Sequence, residues 1–442
     1  MNKQILFLCT ALVLSGCTKH PEADNGQVSS IVETKLGKQV KWYRGCPDDQ
    51  VRCSIQYLLT NELTPEAAVQ IAFLKNPNIQ SIFEELGIAH ADLVEAGLFS
   101  NPAFELDVRY PLVKNLHTNI EYLVTTAFLD IFLVPLRTKV AAAEFEQAKR
   151  RVTHEILNLS FEVRQTYYEL LAEEQKLKYT HSIAELASIR NEIVSRQNTA
   201  GNVAPVDVQQ MQTRALEAKL AIAKGQSTII RLREKLNRLL GLAEDVCLIL
   251  PEIPQEIDYQ EFELCTLESI ALEERLDLQE AQFEVIRLRR MLGLKDWWTY
   301  TNLNAGLSGE RETDGSNVLG FGLSGNIPVF NLGQAARMRL FAQLRQAQDR
   351  YAVLEIQILS EVREAYHLLM SNLEMIKDYR SEIIPLQNKI LHSSEELYNV
   401  MGLGVDRLLE NKRQELEVFR NYLDTLKDYW LARVQLDKAL GP

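Results

Sequence analysis

Residues 162–170 read EVRQTYYEL, and residues 361–369 read EVREAYHLL. The two stretches share Glu, Val, Arg, Tyr and Leu at matching positions, and the offset from Val163 to Val362 is 199 residues in a chain of 442. Each stretch lies early in a long helical pattern that follows two short alternating segments. Such a repeat predicts two similar halves, and it favours an architectural role over an active site.

The composition narrows the classes of function. The net charge is −12, whereas binding to nucleic acid needs a basic surface, so no nucleic-acid partner is predicted. The same charge argues against electrostatic attraction to anionic lipid. After the N-terminus the sequence has no uninterrupted apolar run of about 18 residues, so no transmembrane helix is predicted.

The first residues have the layout of a secretory signal. Lys3 precedes an apolar stretch, and a Leu-Ser-Gly-Cys sequence ends at Cys17. This resembles the lipobox of bacterial lipoproteins, so residues 1–16 are predicted to be removed and Cys17 to carry acyl chains that anchor the protein in outer-membrane lipid. An ordinary signal peptide that happens to contain Cys17 is the alternative. Residues 17–62 are irregular and predict an extended tether.

Four further cysteines form two groups that are close in sequence. Cys46 lies near Cys53, and Cys247 lies near Cys265. In an oxidising periplasm each pair could close a disulfide, and free buried thiols are the alternative. The spacings are not those of a zinc site. No metal site and no cofactor is predicted.

Both halves follow the same predicted plan of a helix, two strands and a long helical hairpin. The predicted ranges are 63–241 for the first half (strands in 102–134, hairpin in 135–241), 242–265 for a Pro-rich connector, and 266–442 for the second half (strands in 297–330, hairpin in 333–441). The first long helix would span about 100 Å, so it needs partner helices along its length. Pro385 is expected to kink or break the second long helix.

The strand segments alternate between apolar and polar residues. Phe104, Leu106 and Val108 alternate with Glu105 and Asp107. Similar alternation is found in residues 120–128, 299–307 and 319–329. Strands of about ten residues with one apolar face fit an outer-membrane barrel, although a half-buried soluble sheet is the alternative. The polar residues predicted to line a wet interior are Glu105, Asp107, Asn302, Asn304 and Ser324.

The number of strands predicts self-association. Four strands cannot close a barrel, and open sheet edges are not tolerated in lipid. Two copies would give eight strands, whose interior is filled by side chains, whereas three copies would give twelve strands and leave room for a passage. The sequence therefore predicts a homotrimer.

The two hairpin tips carry the candidate functional residues. The glycines predicted at the tips are Gly201, Gly402 and Gly404. Asp207 follows the first tip, and Asp406 and Glu410 follow the second at helical i, i+4 spacing, so these two share one helix face. Three copies would place rings of carboxylates around a narrow mouth, which would favour cations. A solvated helix start is the alternative, because acids are favoured in a first turn.

A series of short motifs resembles the TolC-like outer-membrane efflux proteins, specifically their lipid-anchored members. The motifs are Leu63-Thr64-Pro65-Glu66-Ala67-Ala68 with Asn76-Pro77, Asn101-Pro102, Ile327-Pro328-Val329-Phe330 with Gly333, and Gly402 to Leu409 leading to Ala439-Leu440-Gly441. The resemblance covers residues 63–442. Arg275-Leu276-Asp277 stands where the first half has Asn76-Pro77, and the second tip looks shortened.

The resemblance implies a mainly α fold with membrane β-structure, in which a trimeric twelve-stranded barrel continues into a long α-helical barrel that extends into the periplasm. It also implies that the hairpin tips dock onto a periplasmic adaptor, which links them to an inner-membrane pump. The expected function is the passive exit duct of a tripartite efflux system for small molecules or metal ions.

Other functions remain as alternatives. A periplasmic membrane-fusion adaptor would carry one long hairpin rather than two. A lipid-anchored structural coiled coil would not need four alternating strands. An enzyme is not expected, since the sequence has no GxSxG, P-loop, HExxH or GxGxxG context.

Overall fold

The computed structural model describes residues 26–40, 42, 49–113, 116–243, 246, 248–251, 263–298, 303–325 and 329–441. Cys17, Cys46, Cys247 and Asn302 lie outside these ranges. Within these ranges, none of the helices combines the length and the apolar character needed to cross a membrane.

The helices and strands follow the same order in both halves. The N-terminal region and first half contain α1 (Gly26–Leu36), α2 (Asp49–Thr60), α3 (Pro65–Lys75), α4 (Pro77–Ala96), β1 (Ala103–Arg109), β2 (Asn119–Ala127), α5 (Asp130–Thr199) and α6 (Pro205–Leu240). The second half contains α7 (Leu264–Glu274), α8 (Leu276–Trp298), β3 (Asn304–Arg311), β4 (Asn317–Ser324), α9 (Gln334–Asp378), a π-helix (Tyr379–Ile383), α10 (Ile384–Asn399) and α11 (Val405–Leu440).

Three details of the sequence interpretation are wrong. The region predicted as an extended tether contains α1 and α2. The first hairpin begins earlier than expected, because α5 starts at Asp130 and holds Pro135 inside it. Trp297 and Trp298 end α8 instead of opening a strand, and β3 begins only at Asn304. Short apolar or aromatic runs fit either a strand or a buried helix, so periodicity alone could not place these boundaries.

The four strands form one antiparallel sheet in the order β1-β2-β3-β4. Residues directly opposite one another share a face of a sheet. Phe104, Val124, Leu307 and Phe321 form one row across all four strands, and their side chains are exposed in the single chain. The sheet therefore presents a continuous apolar face that no described residue of its own chain covers.

The opposite face of the sheet is polar, as predicted. Glu105 and Asp107 lie on it, and it also carries Asn304, which is paired with Ser324. The register of the strands places these four residues on one face, and their position in a wet interior stays a prediction. Asn119 adds to this face, and its side-chain Nδ2 donates a hydrogen bond to Glu310 Oε1 at 2.6 Å.

The chain divides into two compact units, and the division falls inside five helices, α1, α4, α5, α8 and α9. The first unit comprises Met1–Gln27, Phe83–Lys149 and Glu280–Gln348, and the second comprises Val28–Ile82, Arg150–Gln279 and Asp349–Pro442. The sheet belongs to the first unit, where small apolar clusters hold the helices together; one consists of Leu133, Val140 and Leu294. Both hairpin tips belong to the second unit.

The repeated stretch lies at the centre of the second unit. Val163, Tyr167 and Leu170 of α5 are buried, and so are Val362 and Leu369 of α9. The Tyr167 hydroxyl donates a hydrogen bond to the carbonyl oxygen of Leu63 at 2.8 Å, which fixes the segment before α3. The residues that repeat in the sequence are thus those that pack the long helices against the short ones.

Candidate functional site

The first hairpin turns through a glycine in the left-handed region. Gly201 has φ of 80° and donates its N–H to Asn198 O, and Asn202 donates its N–H to Gln197 O. This pair of hydrogen bonds defines a Schellman motif, which satisfies the last carbonyls of α5. The prediction that Gly201 forms the tip is consistent with this geometry.

The second hairpin builds the same motif without glycine at the left-handed position. Met401 donates its N–H to Tyr398 O, and Gly402 donates its N–H to Leu397 O. Met401 has φ of 57°, a backbone conformation that is unfavourable for a side chain with a Cβ. Gly402 and Gly404 are not the left-handed residues of this turn, although both lie at the tip. Gly404 is the N-cap residue of α11.

The turns give a residue-by-residue equivalence between the two tips. Gly201 corresponds to Met401, and Ala204 corresponds to Gly404, since both N-cap residues have φ of −73° and ψ of 149°. Asp406 therefore corresponds to Val206, and Asp207 corresponds to Arg407. The acids after the two tips are not equivalent, so the second tip alone supplies a carboxylate at the position of Asp406.

Asp406 and Glu410 face an arginine of the first hairpin. Arg190 Nη1 of α5 donates to Glu410 Oε2 at 2.5 Å, and its Nε lies 3.7 Å from Asp406 Oδ1. Arg413 holds Glu410 from the other side, with Nη2 to Oε1 at 2.5 Å, and it also reaches Glu417 Oε1 at 2.5 Å. Glu410 is thus clamped between two guanidinium groups.

These contacts shift the protonation of Glu410. The hydrogen bonds from Arg413 and Arg190 lower the pKa of Glu410 from 4.5 to about 2, against the opposing effect of burial. Because both arginines stabilise the charged form, Glu410 is an anion throughout the physiological pH range. The negative charge of Glu410 is therefore paired with positive side chains of its own chain.

A cavity of about 720 Å³ opens beside this cluster, between α5, α6 and α11. Its lining balances the two signs of charge and includes the apolar side chains Ile183, Leu186 and Met211. The charged lining residues are Arg190, Arg214, Arg407, Arg413, Glu217, Asp406, Glu410 and Glu417. The cavity lining therefore carries equal numbers of positive and negative side chains.

Besides the contact from Arg190 to Asp406, three ion pairs join α5 to α11 among the described residues, and Arg190–Glu410 is one of them. In each pair α5 supplies the cation and α11 supplies the anion. The pairs are Arg164–Asp437 at 3.9 Å, Lys176–Asp424 at 2.9 Å and Arg190–Glu410 at 2.5 Å. Residue numbers rise on one helix as they fall on the other, which describes two antiparallel helices in fixed register.

Sequence reasoning missed Arg190. Arg190 and Glu410 each lie about ten residues from the left-handed residue of their own tip. Because the rise per residue is the same in both hairpins, the two residues lie at about the same distance from the tips. Counting outward from both tips would have found this pair. Local sequence does not distinguish one arginine of α5 from the others as the partner of Glu410, because the register between hairpins is a tertiary property.

The remaining predicted site residues lie apart from this cluster. Asp207 is exposed in the first turn of α6. Cys53 and Cys265 are also exposed, and the cysteines predicted to pair with them are outside the described residues, so both disulfides stay predictions. Within the described ranges, no group of three or more His, Cys, Asp or Glu side chains is arranged to hold a metal ion.

Comparison with solved structures identifies the fold. The outer-membrane channel OprN superposes with a TM-score of 0.70 at 15% identity, covering 90% of this chain and 94% of that one. The chain has the fold of the TolC-like outer-membrane channels. CusC, whose structures describe transmembrane channel formation, has a TM-score of 0.66 at 17% identity and covers 90% of this chain and 95% of its own. The fold that the sequence motifs implied is confirmed.

The sequence is also similar to a curated protein. The cobalt-zinc-cadmium resistance protein CzcC of Cupriavidus metallidurans is 23% identical over 398 residues, which cover 86% of this chain and 90% of the relative. No family model matches the chain. A TolC-like chain has two long hairpins and a four-stranded sheet, so neither a single-hairpin adaptor nor a coiled coil without strands fits the fold.

Proposed function

We propose that this chain is an outer-membrane channel that assembles as a homotrimer and serves as the exit duct of a tripartite efflux system. The proposal rests chiefly on one observation: the four-stranded sheet has one face of exposed apolar side chains and one polar face. A soluble sheet of this size would cover its apolar face with helices or loops. Here the occupant that fits is the hydrocarbon of an outer membrane.

The edges of the sheet favour the trimer. In the part of the chain that the structure describes, β1 and β4 each have a partner strand on only one side. In lipid every backbone N–H and C=O must be satisfied, so β4 of one copy must pair with β1 of the next. Three copies close a ring of twelve strands and leave a wet lumen lined by the polar face, with Glu105 and Asp107 among its residues.

The partners and the cargo follow from the setting of such a duct. A channel without an energy source needs an inner-membrane pump, and a periplasmic adaptor that contacts the hairpin tips joins the two. Acyl chains on Cys17 would anchor the N-terminus in the outer membrane. The name of the relative CzcC and the fold shared with CusC favour metal ions as the cargo, with other small molecules as the alternative.

The ion-paired seam between α5 and α11 offers a closing device at the periplasmic end. Arg190 ties the first hairpin to Glu410 of the second hairpin, so separation of the hairpins must break a charge-assisted pair. An adaptor that binds the tips could supply the energy for that separation. Asp406 and Glu410 would then be released from Arg190 and would face the opened mouth, where carboxylates favour cations.

The first experiment is the conductance of purified protein in planar bilayers, together with the mass of the oligomer in detergent. The proposal expects a trimer mass and discrete current steps. A monomer that produces no current would refute the channel and the trimer together.

The second experiment addresses the mouth. Arg190→Ser should raise the open probability several-fold, because Glu410 keeps only Arg413. Arg196→Ser is the matched control, since Arg196 lies on the same helix, is exposed, and pairs with Glu192 of its own helix. Asp406→Asn combined with Glu410→Gln should lower the preference for cations. An unchanged reversal potential in the double variant would remove these two acids from the mouth.

A further inference from the structure

The two halves of the chain differ in length by one residue, and the difference lies between the repeated stretch and the tip. Val163 and Val362 are 199 residues apart, and so are Asn76 and Arg275, the C-cap residues of α3 and α7. From the tips onward the offset is 200, as Gly201 and Met401 show. The second hairpin therefore holds one extra residue between Val362 and Met401.

The extra residue is accommodated by the π-helix Tyr379–Ile383. At its end Ile384 donates its N–H to Tyr379 O, five residues back, whereas an α-helix bonds four residues back. The corresponding segment of the first hairpin, residues 180–184, is uninterrupted α-helix. The break predicted at Pro385 is thus confirmed, and it takes the form of a π-turn that ends immediately before that proline.

The π-helix also marks a change in how the second hairpin is held together. On one side of it, α9 contributes buried apolar residues to a core cluster, the last of them being Ile376. On the other side, α10 buries only Leu391 and Ser394. Ser394 Oγ there accepts a hydrogen bond from Asn411 Nδ2 at 2.6 Å. An apolar seam therefore gives way to a polar one at the π-helix.

Two side chains of the π-helix, those of Arg380 and Tyr379, contact Tyr422 of the return helix. Arg380 Nε donates to the Tyr422 hydroxyl at 2.7 Å, and the rings of Tyr379 and Tyr422 lie 5.9 Å apart between centroids. None of the five residues of the π-helix is buried. The segment is thus held by an exposed hydrogen bond and a ring contact, without an apolar core beneath it.

We propose that Tyr379–Ile383 is a hinge, about which α10 and the second tip move relative to α9, and that the bond from Arg380 to Tyr422 latches it. This inference rests on the proposed channel, because it names the place where the closed mouth would begin to open. A π-turn is a rare departure from the α-helix that is frequent at functional sites, and Pro385 has no backbone N–H to donate. The polar seam beyond it can exchange its bonds with water at little cost.

The hinge itself can be tested without channel activity by hydrogen exchange of the purified full-length protein. The test variant deletes Ser381 and replaces Pro385 with alanine, which makes a continuous α-helix possible. Pro385→Ala alone is the matched control, because it keeps the extra residue. We expect the amides of residues 382–388 to exchange at least tenfold more slowly in the test variant. Equal exchange in the two variants would overturn the hinge.

The role of the hinge in opening is tested by conductance of the same proteins. The deletion variant should open several-fold less often than Pro385→Ala, and Tyr422→Phe, which removes the latch acceptor, should open more often. Tyr57→Phe, on an exposed tyrosine of α2, controls for loss of a hydroxyl. If conductance is the same in all of these variants, the hinge does not serve opening.

The channel and the hinge can be refuted independently of each other. A wild-type protein without conductance would refute the channel, while the exchange measurement would still decide whether the hinge exists. If the deletion variant does not form trimers, Tyr422→Phe against Tyr57→Phe decides the latch, with chain length unchanged.

Discussion

Two corners of the fold have a similar backbone conformation but different side chains. In the first corner α3 meets the C-terminal end of α6, and in the second α7 meets the C-terminal end of α11. In the first, Asn76 Nδ2 donates to Leu239 O at 2.9 Å. In the second, Arg275 reaches Ala439 O at 3.5 Å and is held chiefly by carboxylates, with Nη2 to Asp277 Oδ2 at 2.6 Å and Nη1 to Glu361 Oε2 at 2.5 Å.

What both corners keep is a glycine in the left-handed conformation. Gly241 has φ of 71° and Gly441 has φ of 74°, and each lies directly against the C-cap residue of the facing short helix. Close approach of the two backbones is therefore the feature that both corners share. The polar groups can change from an amide to an ion cluster as long as each buried group keeps a partner.

The largest expected effect comes from breaking the ion cluster of the second corner. Arg275→Met leaves the half-buried Asp277 without its bidentate partner and should lower the free energy of unfolding by about 3 kcal/mol. Asn76→Ala in the first corner should cost only about 1–2 kcal/mol, because it loses neutral hydrogen bonds. Guanidinium denaturation of the two variants measures the difference. Equal losses would show that the corners do not differ energetically.

The next effect tests the shared glycines. A Cβ at position 241 would lie 2.7 Å from the Lys75 carbonyl oxygen and 2.8 Å from Cα of Asn76, whereas a Cβ at position 441 would meet its neighbours less closely, at 2.9 Å from Cγ and 3.0 Å from Cα of Arg275. Gly241→Ala should therefore cost about 2–3 kcal/mol through strain and overpacking, and Gly441→Ala should cost less. The same denaturation assay checks the order. A larger loss at position 441 would contradict the prediction.

A smaller effect distinguishes the two tips. Met401 is 95% exposed and left-handed, so Met401→Gly removes strain without loss of packing and should stabilise the protein by about 1 kcal/mol. Gly201→Ala introduces the same strain in the first tip and should destabilise by about 1 kcal/mol. Thermal melts should show a higher melting temperature for Met401→Gly and a lower one for Gly201→Ala. If Met401→Gly lowers the melting temperature, its side chain has a contact that the trimer supplies.

The smallest effect is the pH dependence of the tip cluster. The pKa of Glu410 falls from 4.5 to about 2 on folding, so its pairing stabilises the protein above pH 4.5 and is lost as the pH falls towards 2. The effect is small because the pair is partly screened by water. Melting temperatures from pH 6 to 3 should fall more steeply for wild type than for Glu410→Gln. Parallel curves would show that the cluster adds nothing to stability.

The sequence predicted the parts of this fold that depend on local periodicity. Alternation placed Phe104 and Glu105 on opposite faces of the sheet, and the 3.6-residue pattern around Val362 placed the apolar seam of α9. It misplaced Trp297, because an aromatic pair is compatible with both the end of a helix and the start of a strand. It also chose Gly402 for the second turn, since glycine is the usual left-handed residue, whereas the hydrogen bonds select Met401.

The sequence by itself determined that the chain has two copies of one plan, because duplicated residues and their periodicity are written along the chain. Only the tertiary structure decided which side chains meet between elements: Arg190 with Glu410, Arg275 with Glu361, and Arg380 with Tyr422. The physical reason is that the register between helices is set by the packing of whole faces. One extra residue, absorbed as a π-turn, keeps that register for the rest of the second hairpin.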